Sequence, residues 1–220
     1  MKLVIFDVDG TLVNSRAQIL RSFSEAFKDL GLPQLEEDRV LSVIGLSLLL
    51  ACEHLVGKGE KAQLLADHYR SNYYRINAEI EKEGPQLFSG VQKVISQMEE
   101  LPLAVLGIAT GNSRRGVQRI LNAYGWQNTF TTIQTADDAP SKPHPEMIFQ
   151  AIADVGGRPD STIMVGDTSF DIDMAVAAGV PSIGVTWGNH SEDILVRAKA
   201  RYIVHTRQEL ADILVDFVNS

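Results

Sequence analysis

Four short stretches of the chain hold the side chains best suited to chemistry. "FDVDGTL" (6–12) sets Asp7 and Asp9 one residue apart where an apolar run ends, with Gly10 and Thr11 following. "IATGN" (108–112) ends in Thr110, Gly111 and Asn112, and "SKPHPEM" (141–147) carries Lys142. "GDTSFDI" (166–172) supplies Asp167 and Asp171. Each has an ordinary structural explanation when taken alone. An aspartate after a strand caps the next helix or shapes a turn, and Thr-Gly-Asn reads as a turn. A loop lysine is normally solvated, and an acid in a first helical turn suits the helix dipole. Taken together they pose a different question, because carboxylates brought close raise one another's pKa unless a cation lies between them.

Whether they converge depends on the elements that carry them. "KLVIF" (2–6), "LAVLGIAT" (103–110), "TFTTIQT" (129–135), "STIMVGD" (161–167), "VPSIGVT" (180–186) and "RYIVH" (201–205) are apolar runs typical of buried parallel strands. Helical patterns alternate with the later runs: 113–124, 145–155, 169–178, 191–199 and 206–218. The last opens with Thr206 and Glu209 at capping-box spacing. This alternation predicts an α/β fold, a doubly wound parallel sheet with helices on both faces. Between the first strand and the rest lies an all-helical block. Ile19, Leu20, Phe23, Phe27 and Leu30 recur at helical spacing before Gly31 and Pro33, further helices follow from 36 to about 78, and "EKEGPQLFSG" (81–90) marks a loop. The expected organisation is a core of residues 1–14 and 86–220, with a helical insertion at 15–85. Ligands of such sheets gather beyond the carboxyl ends of the strands, where all four stretches fall. Strand alternation also sends Asp7 and Asp9 to one side.

Several other chemistries are excluded. The order of glycines rules out an EF-hand, since Gly10 stands fourth from Asp7 where that loop needs glycine sixth. The P-loop and dinucleotide fingerprints are absent, and the five histidines lack zinc-type spacing. Hard carboxylate oxygens instead suit Mg²⁺, which keeps several waters and shares its site with phosphate. A net charge of −8 argues against nucleic-acid or anionic-membrane partners but not against a small anionic substrate. Cys52 is the lone cysteine, so a reducing, cytoplasmic setting is expected. No apolar run approaches a membrane span, and Asp7 and Asp9 interrupt the N-terminal run too early for a secretory signal. In that setting the Asn189-His190-Ser191 sequon is read as chance.

The four stretches, in this order and spacing, resemble the motifs of the haloacid dehalogenase superfamily, in its phosphatase branch with a helical cap after the first strand. The nearest likeness is to phosphoglycolate phosphatase-like proteins. The resemblance implies that Asp7 is a nucleophile forming an aspartyl-phosphate and Asp9 a general acid and base. It implies that Thr110, Gly111 and Asn112 bind the phosphoryl group, that Lys142 steadies its charge, and that Asp171 orients the site. Asp7, the Asp9 carbonyl and Asp167 are the implied Mg²⁺ ligands. A small phosphomonoester, phosphoglycolate-like or a sugar phosphate, is the implied partner of a monomer or homodimer.

Departures within that family narrow the reading. Its dehalogenases lack the second Asp, so carbon–halogen cleavage is disfavoured. Its capped sugar-phosphate mutases tend to carry an acid where this chain has Gly166, which favours hydrolysis over transfer. Inorganic pyrophosphate is a further possible substrate, and a non-catalytic binding protein on the same fold is the alternative from another class. Within the cap, the turn at Gly45, Leu46 and Ser47 is the expected specificity loop. Arg70 and Arg75 are candidate carboxylate binders against a solvated alternative, and Trp187 and His190 are candidates for the entrance against a packing role.

Overall fold

The computed structural model of the protein describes residues 1–80 and 84–220, so the first three residues of the expected 81–90 loop lie outside the described residues. Six strands, β1 (Lys2–Phe6), β2 (Ala104–Ala109), β3 (Thr132–Gln134), β4 (Thr162–Gly166), β5 (Ser182–Val185) and β6 (Tyr202–Val204), form one sheet. All pairs are parallel, in the order β3-β2-β1-β4-β5-β6. The chain therefore winds outward from β1 in one direction and from β4 in the other. The switch point between β1 and β4 opens a crevice beyond their carboxyl ends.

The helices among the described residues are α1 (Arg16–Asp29), α2 (Glu37–Leu41), α3 (Leu48–Val56), α4 (Glu60–Ile80), α5 (Val91–Glu99), α6 (Arg114–Tyr124), α7 (Glu146–Asp154), α8 (Ser169–Ala178), α9 (Glu192–Arg197) and α10 (Arg207–Asn219). Strand alternation explains why the sheet is covered twice. Val4 and Phe6 of β1 and Ile163 and Val165 of β4 face a cluster that includes Val94 and Ile95 of α5, Ile120 of α6 and Leu214 of α10. Leu3, Ile5 and Met164 face the opposite way, onto Met147 and Ile148 of α7 and Met174 of α8. A strand buried on both faces must be apolar throughout, which is why β1 and β4 read as continuous runs.

Local signals set the helix ends. The Ser113 hydroxyl accepts from the Gly116 amide to start α6, and Gly125 at φ +69° closes it. Thr206 starts α10 by accepting from the Glu209 amide, but Glu209 accepts from the His205 amide, one residue outside the expected box. α5 was not among the expected helices, although Val91, Val94, Ile95 and Met98 are buried at helical spacing. Nine residues between a Gly-Pro loop and Pro102 give too short a window for periodicity to stand out. None of the described helices is long and apolar enough to cross a membrane.

The insertion after β1 is helical, α1 to α4, and forms a cap with a core of its own. Phe23, Ala26 and Phe27 of α1 pack with Cys52 of α3 and Leu65 and Ala66 of α4. The cap meets the sheet domain along a backbone seam. The Ser47 amide donates to Ser141 Oγ at 2.8 Å, and Gly111 lies so close to the cap loop that a Cβ there would stand 2.5 Å from Leu46 O and 2.6 Å from Gly45 O. Neither carbonyl can yield as a flexible side chain would. We expect Gly111→Ala to cost about 1–3 kcal/mol of overpacking, read as a lower melting temperature with faster proteolysis within the cap. A variant as stable and protease-resistant as the parent would contradict the seam.

Candidate active site

All four motif stretches meet at the crevice beyond β1 and β4. Asp7 follows β1, and its amide still donates to Val165 O, which holds it beside β4. Lys142 arrives on the loop after β3. That loop is pinned by Asp138, which accepts from the Thr135 amide and hydroxyl and pairs with Arg114 of α6. Asp167 follows β4, and Asp171 sits in the first turn of α8. One carboxylate oxygen from each of Asp7, Asp167 and Asp171 can be chosen so that all lie within 4.8 Å of one another. These three acids and Lys142 are buried, Lys142 completely.

Lys142 Nζ donates to Asp7 Oδ1 at 2.6 Å and to Asp171 Oδ1 at 2.5 Å. The other Asp171 oxygen accepts from the Thr168 amide at 3.0 Å and from its hydroxyl at 2.7 Å, which fixes the carboxylate at the helix start. Asp167 is engaged on both oxygens: Oδ1 accepts from the Thr11 hydroxyl, and Oδ2 accepts from the amide and side chain of Asn189. Asp7 differs, because its Oδ2 is buried and has no hydrogen-bond partner among the described residues. Asp9 borders the crevice, with its Oδ2 accepting from the Asn112 side chain at 2.8 Å. Thr110 Oγ1 accepts from the Asn112 amide at 3.2 Å, tying the loop after β2 into the same region.

Burial governs the electrostatics. It raises the Asp7 pKa well above the ordinary carboxylate range; Lys142 opposes the rise, and Asp171 and Asp167 add to it. Asp167 is pushed up to about 7, by burial first and by the Asp171 charge second. Asp9 is also raised by burial, with Asn112 among the groups that counter it. Burial works against the Lys142 charge, yet Asp171 and Asp7 overcome it and hold the ammonium above its ordinary value. If all are ionised, the three clustered acids exceed the single ammonium by two charges. The unpartnered Asp7 oxygen and this deficit both fit a hard divalent cation with oxygen ligands. Gly10, at φ +100°, keeps the turn open on that side, since a Cβ there would fall onto Asp167 and Asn189.

Asp7, Asp9, Thr110, Gly111 and Asn112 line a cavity of about 410 Å³ roofed by the cap, including Gly45, Leu46 and Ser47. Lys142, Asp167 and Asp171 are outside its lining and join it through Asp7. The candidate arginines separate. Arg70 borders the cavity but pairs with Asp67, while Arg75 pairs with Glu25 and Glu79 and does not line it. Trp187 and His190 are also absent from the lining. The Trp187 indole donates to Thr11 O, and His190 Nδ1 accepts from the Ser169 amide, so both brace backbone around the acids. Sequence reasoning missed Asn189. The available signal is its position shortly after the carboxyl end of β5, within a triplet that reads as a chance sequon. Gly166 packs against Asp171, leaving no space for a side chain there.

Residues 4–185 match the family model described as haloacid dehalogenase-like hydrolase. The chain is 33% identical over 210 residues to a protein of Dickeya dadantii named "Probable phosphatase IndB", covering 94% of this chain and 91% of that protein. It is also 33% identical over 196 residues to a phosphoglycolate phosphatase of Yersinia pestis, covering 87% and 84% respectively. The crystal structure of "a predicted phosphatase from Clostridium acetobutylicum" superimposes with a TM-score of 0.86 at 25% identity, covering 98% of each chain. With a family model spanning most of its length and relatives at this identity, the chain belongs to the haloacid dehalogenase-like hydrolases.

Proposed function

We propose that the protein hydrolyses a small phosphomonoester in a Mg²⁺-dependent reaction that passes through a phosphorylated Asp7. The observation that carries this reading is the state of Asp7. One of its oxygens is held by a buried lysine, the other has no partner among the described residues, and the residue borders the cavity beside Asp9. A carboxylate is a weak base but an adequate nucleophile once charge on the phosphoryl oxygens is neutralised. In the first half-reaction an Asp7 oxygen attacks phosphorus and the bond to the leaving oxygen breaks. Asp9 gives that oxygen its proton, and the burial that raises the Asp9 pKa favours the protonated form this step needs. In the second half, Asp9 takes a proton from water, whose oxygen attacks phosphorus and releases phosphate and free Asp7.

Thr110 and the amides around Gly111 border the same cavity and are suited to hydrogen-bond the transferring group. Lys142 holds Asp7 in place and offsets its charge, and Asp171 holds Lys142. Asp7, Asp167 and the Asp9 carbonyl would hold Mg²⁺, which when bound supplies positive charge to the phosphoryl oxygens. A phosphorylated short hydroxyacid, as the name of the Yersinia relative indicates for that protein, is one candidate substrate class.

Asp7→Asn should bring Mg²⁺-dependent hydrolysis of an aryl phosphate to background while circular dichroism remains that of the parent; undiminished turnover would refute the assignment. General acid–base catalysis contributes about 10²–10⁴-fold, so Asp9→Asn should lower kcat by that order on alkyl phosphates. With a good leaving group it should also leave phosphorylated Asp7 detectable by mass spectrometry, and rapid turnover without such a species would remove Asp9 from the second half.

The raised Asp167 pKa has a definite sign. Its carboxyl titrates at about 7 in the folded protein against an ordinary value of 3.8. The folded state therefore retains a proton that the unfolded chain has lost, and this group's contribution makes the metal-free protein less stable as pH rises between those values. Mg²⁺ binds the deprotonated form. Its stabilising shift in melting temperature should thus grow from about pH 5 to about pH 7.5 and be largely lost in Asp167→Asn. A shift independent of pH would contradict this.

A further inference from the structure

Beyond the phosphoryl site, the cavity is walled by rings. Phe23 of α1 and Tyr69, Tyr73 and Tyr74 of α4 line it together. Phe23 and Tyr69 have centroids 4.4 Å apart, Tyr69 and Tyr73 are stacked at 5.7 Å and 18°, and Tyr73 meets Tyr74 edge-on at 6.4 Å. These rings, stacked on one another and inclined to their neighbours, give the cavity an aromatic, amphipathic wall on which ring-bearing ligands can pack edge-to-face or offset-stacked. No hydrogen bond engages the Tyr69 hydroxyl among the described residues, whereas the Tyr73 hydroxyl is hydrogen-bonded to Arg119 and Asn77; burial raises both phenol pKa values.

The charges of the cavity point the same way. Among the described residues Arg70 is its only basic lining group, and its guanidinium is paired with Asp67 at 2.7 Å. Asp9 and Asp137 also border it. Arg115 stands 4.3 Å from the Tyr74 ring centroid but outside the lining. Arg119, also outside the lining, stands 5.6 Å from the Tyr73 ring centroid, hydrogen-bonds Tyr73 and offsets charge on Asp9. A leaving group bearing its own carboxylate would meet Asp9 and Asp137 and arginines already engaged by Asp67 and by the ring wall, at a cost in repulsion and desolvation. The volume, about 410 Å³, lies within the ~300–1,000 Å³ of small-molecule sites. A phosphorylated short hydroxyacid would leave most of it unfilled.

We infer that the leaving group is an uncharged alcohol bearing a flat ring, aryl or nucleoside in kind, that stacks against the Tyr69–Tyr73 wall. This rests on the phosphatase reading above and assigns its specificity to the tyrosines of α4.

The test is kcat/KM with Mg²⁺ for uridine 5′-monophosphate, benzyl phosphate, 2-phosphoglycolate, glycerol 3-phosphate and acetyl phosphate. At least one ring substrate should exceed phosphoglycolate and glycerol phosphate by about tenfold or more; the two ring substrates distinguish a nucleoside from a simple aryl alcohol. The ratio of kcat/KM for the better ring substrate to that for acetyl phosphate should fall about tenfold in Tyr73→Leu, mainly through KM, and be retained in Tyr73→Phe. If Tyr73→Leu fails to fold, Tyr69→Leu with Tyr69→Phe gives the same comparison. Preference for phosphoglycolate, or a ratio unmoved by loss of the ring, overturns the inference and leaves the phosphatase reading standing. Absence of Mg²⁺-dependent hydrolysis across all five substrates overturns both.

Discussion

Lys142 is buried between two carboxylates, and the geometry of the crevice is organised around that contact. An ammonium removed from water loses several kcal/mol of solvation, which is recovered only if partners are close and their remaining oxygens are satisfied. Asp171 meets that condition through Thr168 at the start of α8. Asp7 does not, since one of its oxygens is left bare. The interaction is thus complete as a structural device on one side and incomplete on the side that faces the cavity. A purely structural ion pair would gain by satisfying both sides. On the proposed reading, this asymmetry leaves Asp7 free to react and holds Asp171 rigid.

The sheet makes this arrangement possible. Its central strands, buried on both faces, are spent on packing until they end, so the first polar residues beyond them are delivered with little freedom. The switch between β1 and β4 brings Asp7 and Asp167 alongside each other without a long loop, and the α8 terminus follows one residue after Asp167. The residue after each strand inherits the strand's precision, while the cap contributes the enclosure.

Much of this was legible because it rests on short-range rules. Apolar runs gave the strands and their burial, and a doubly wound sheet then placed Asp7, Lys142, Asp167 and Asp171 at related ends. What escaped depends on distance in sequence. Asn189 acts on Asp167 from a loop beyond β5, and Asn112 acts on Asp9 across more than a hundred residues, so neither partner is implied by local pattern. Arg75 shows the converse. Its residue type suits anion binding, but Glu25 and Glu79 are brought to it by the packing of α1 against α4. Tyr69, Tyr73 and Tyr74 lie within one helix of the cap, but the surface they share is fixed only by how that helix packs over the sheet domain.

The seam between Gly111 and the Gly45–Leu46 carbonyls carries a consequence for engineering this architecture. Gly45 also abuts Thr168, the residue that fixes Asp171, with room for a Cβ only 2.9 Å from its hydroxyl oxygen. The roof therefore meets the sheet domain along a strip of main chain at Gly45 and Leu46, flanked by side-chain contacts in which Phe170 packs into the cap and Arg115 and Arg119 of α6 lie against Tyr74 and Tyr73. A foreign roof grafted at this position would need to reproduce that strip together with partners for Phe170, Arg115 and Arg119, and its remaining inner surface would be free to differ.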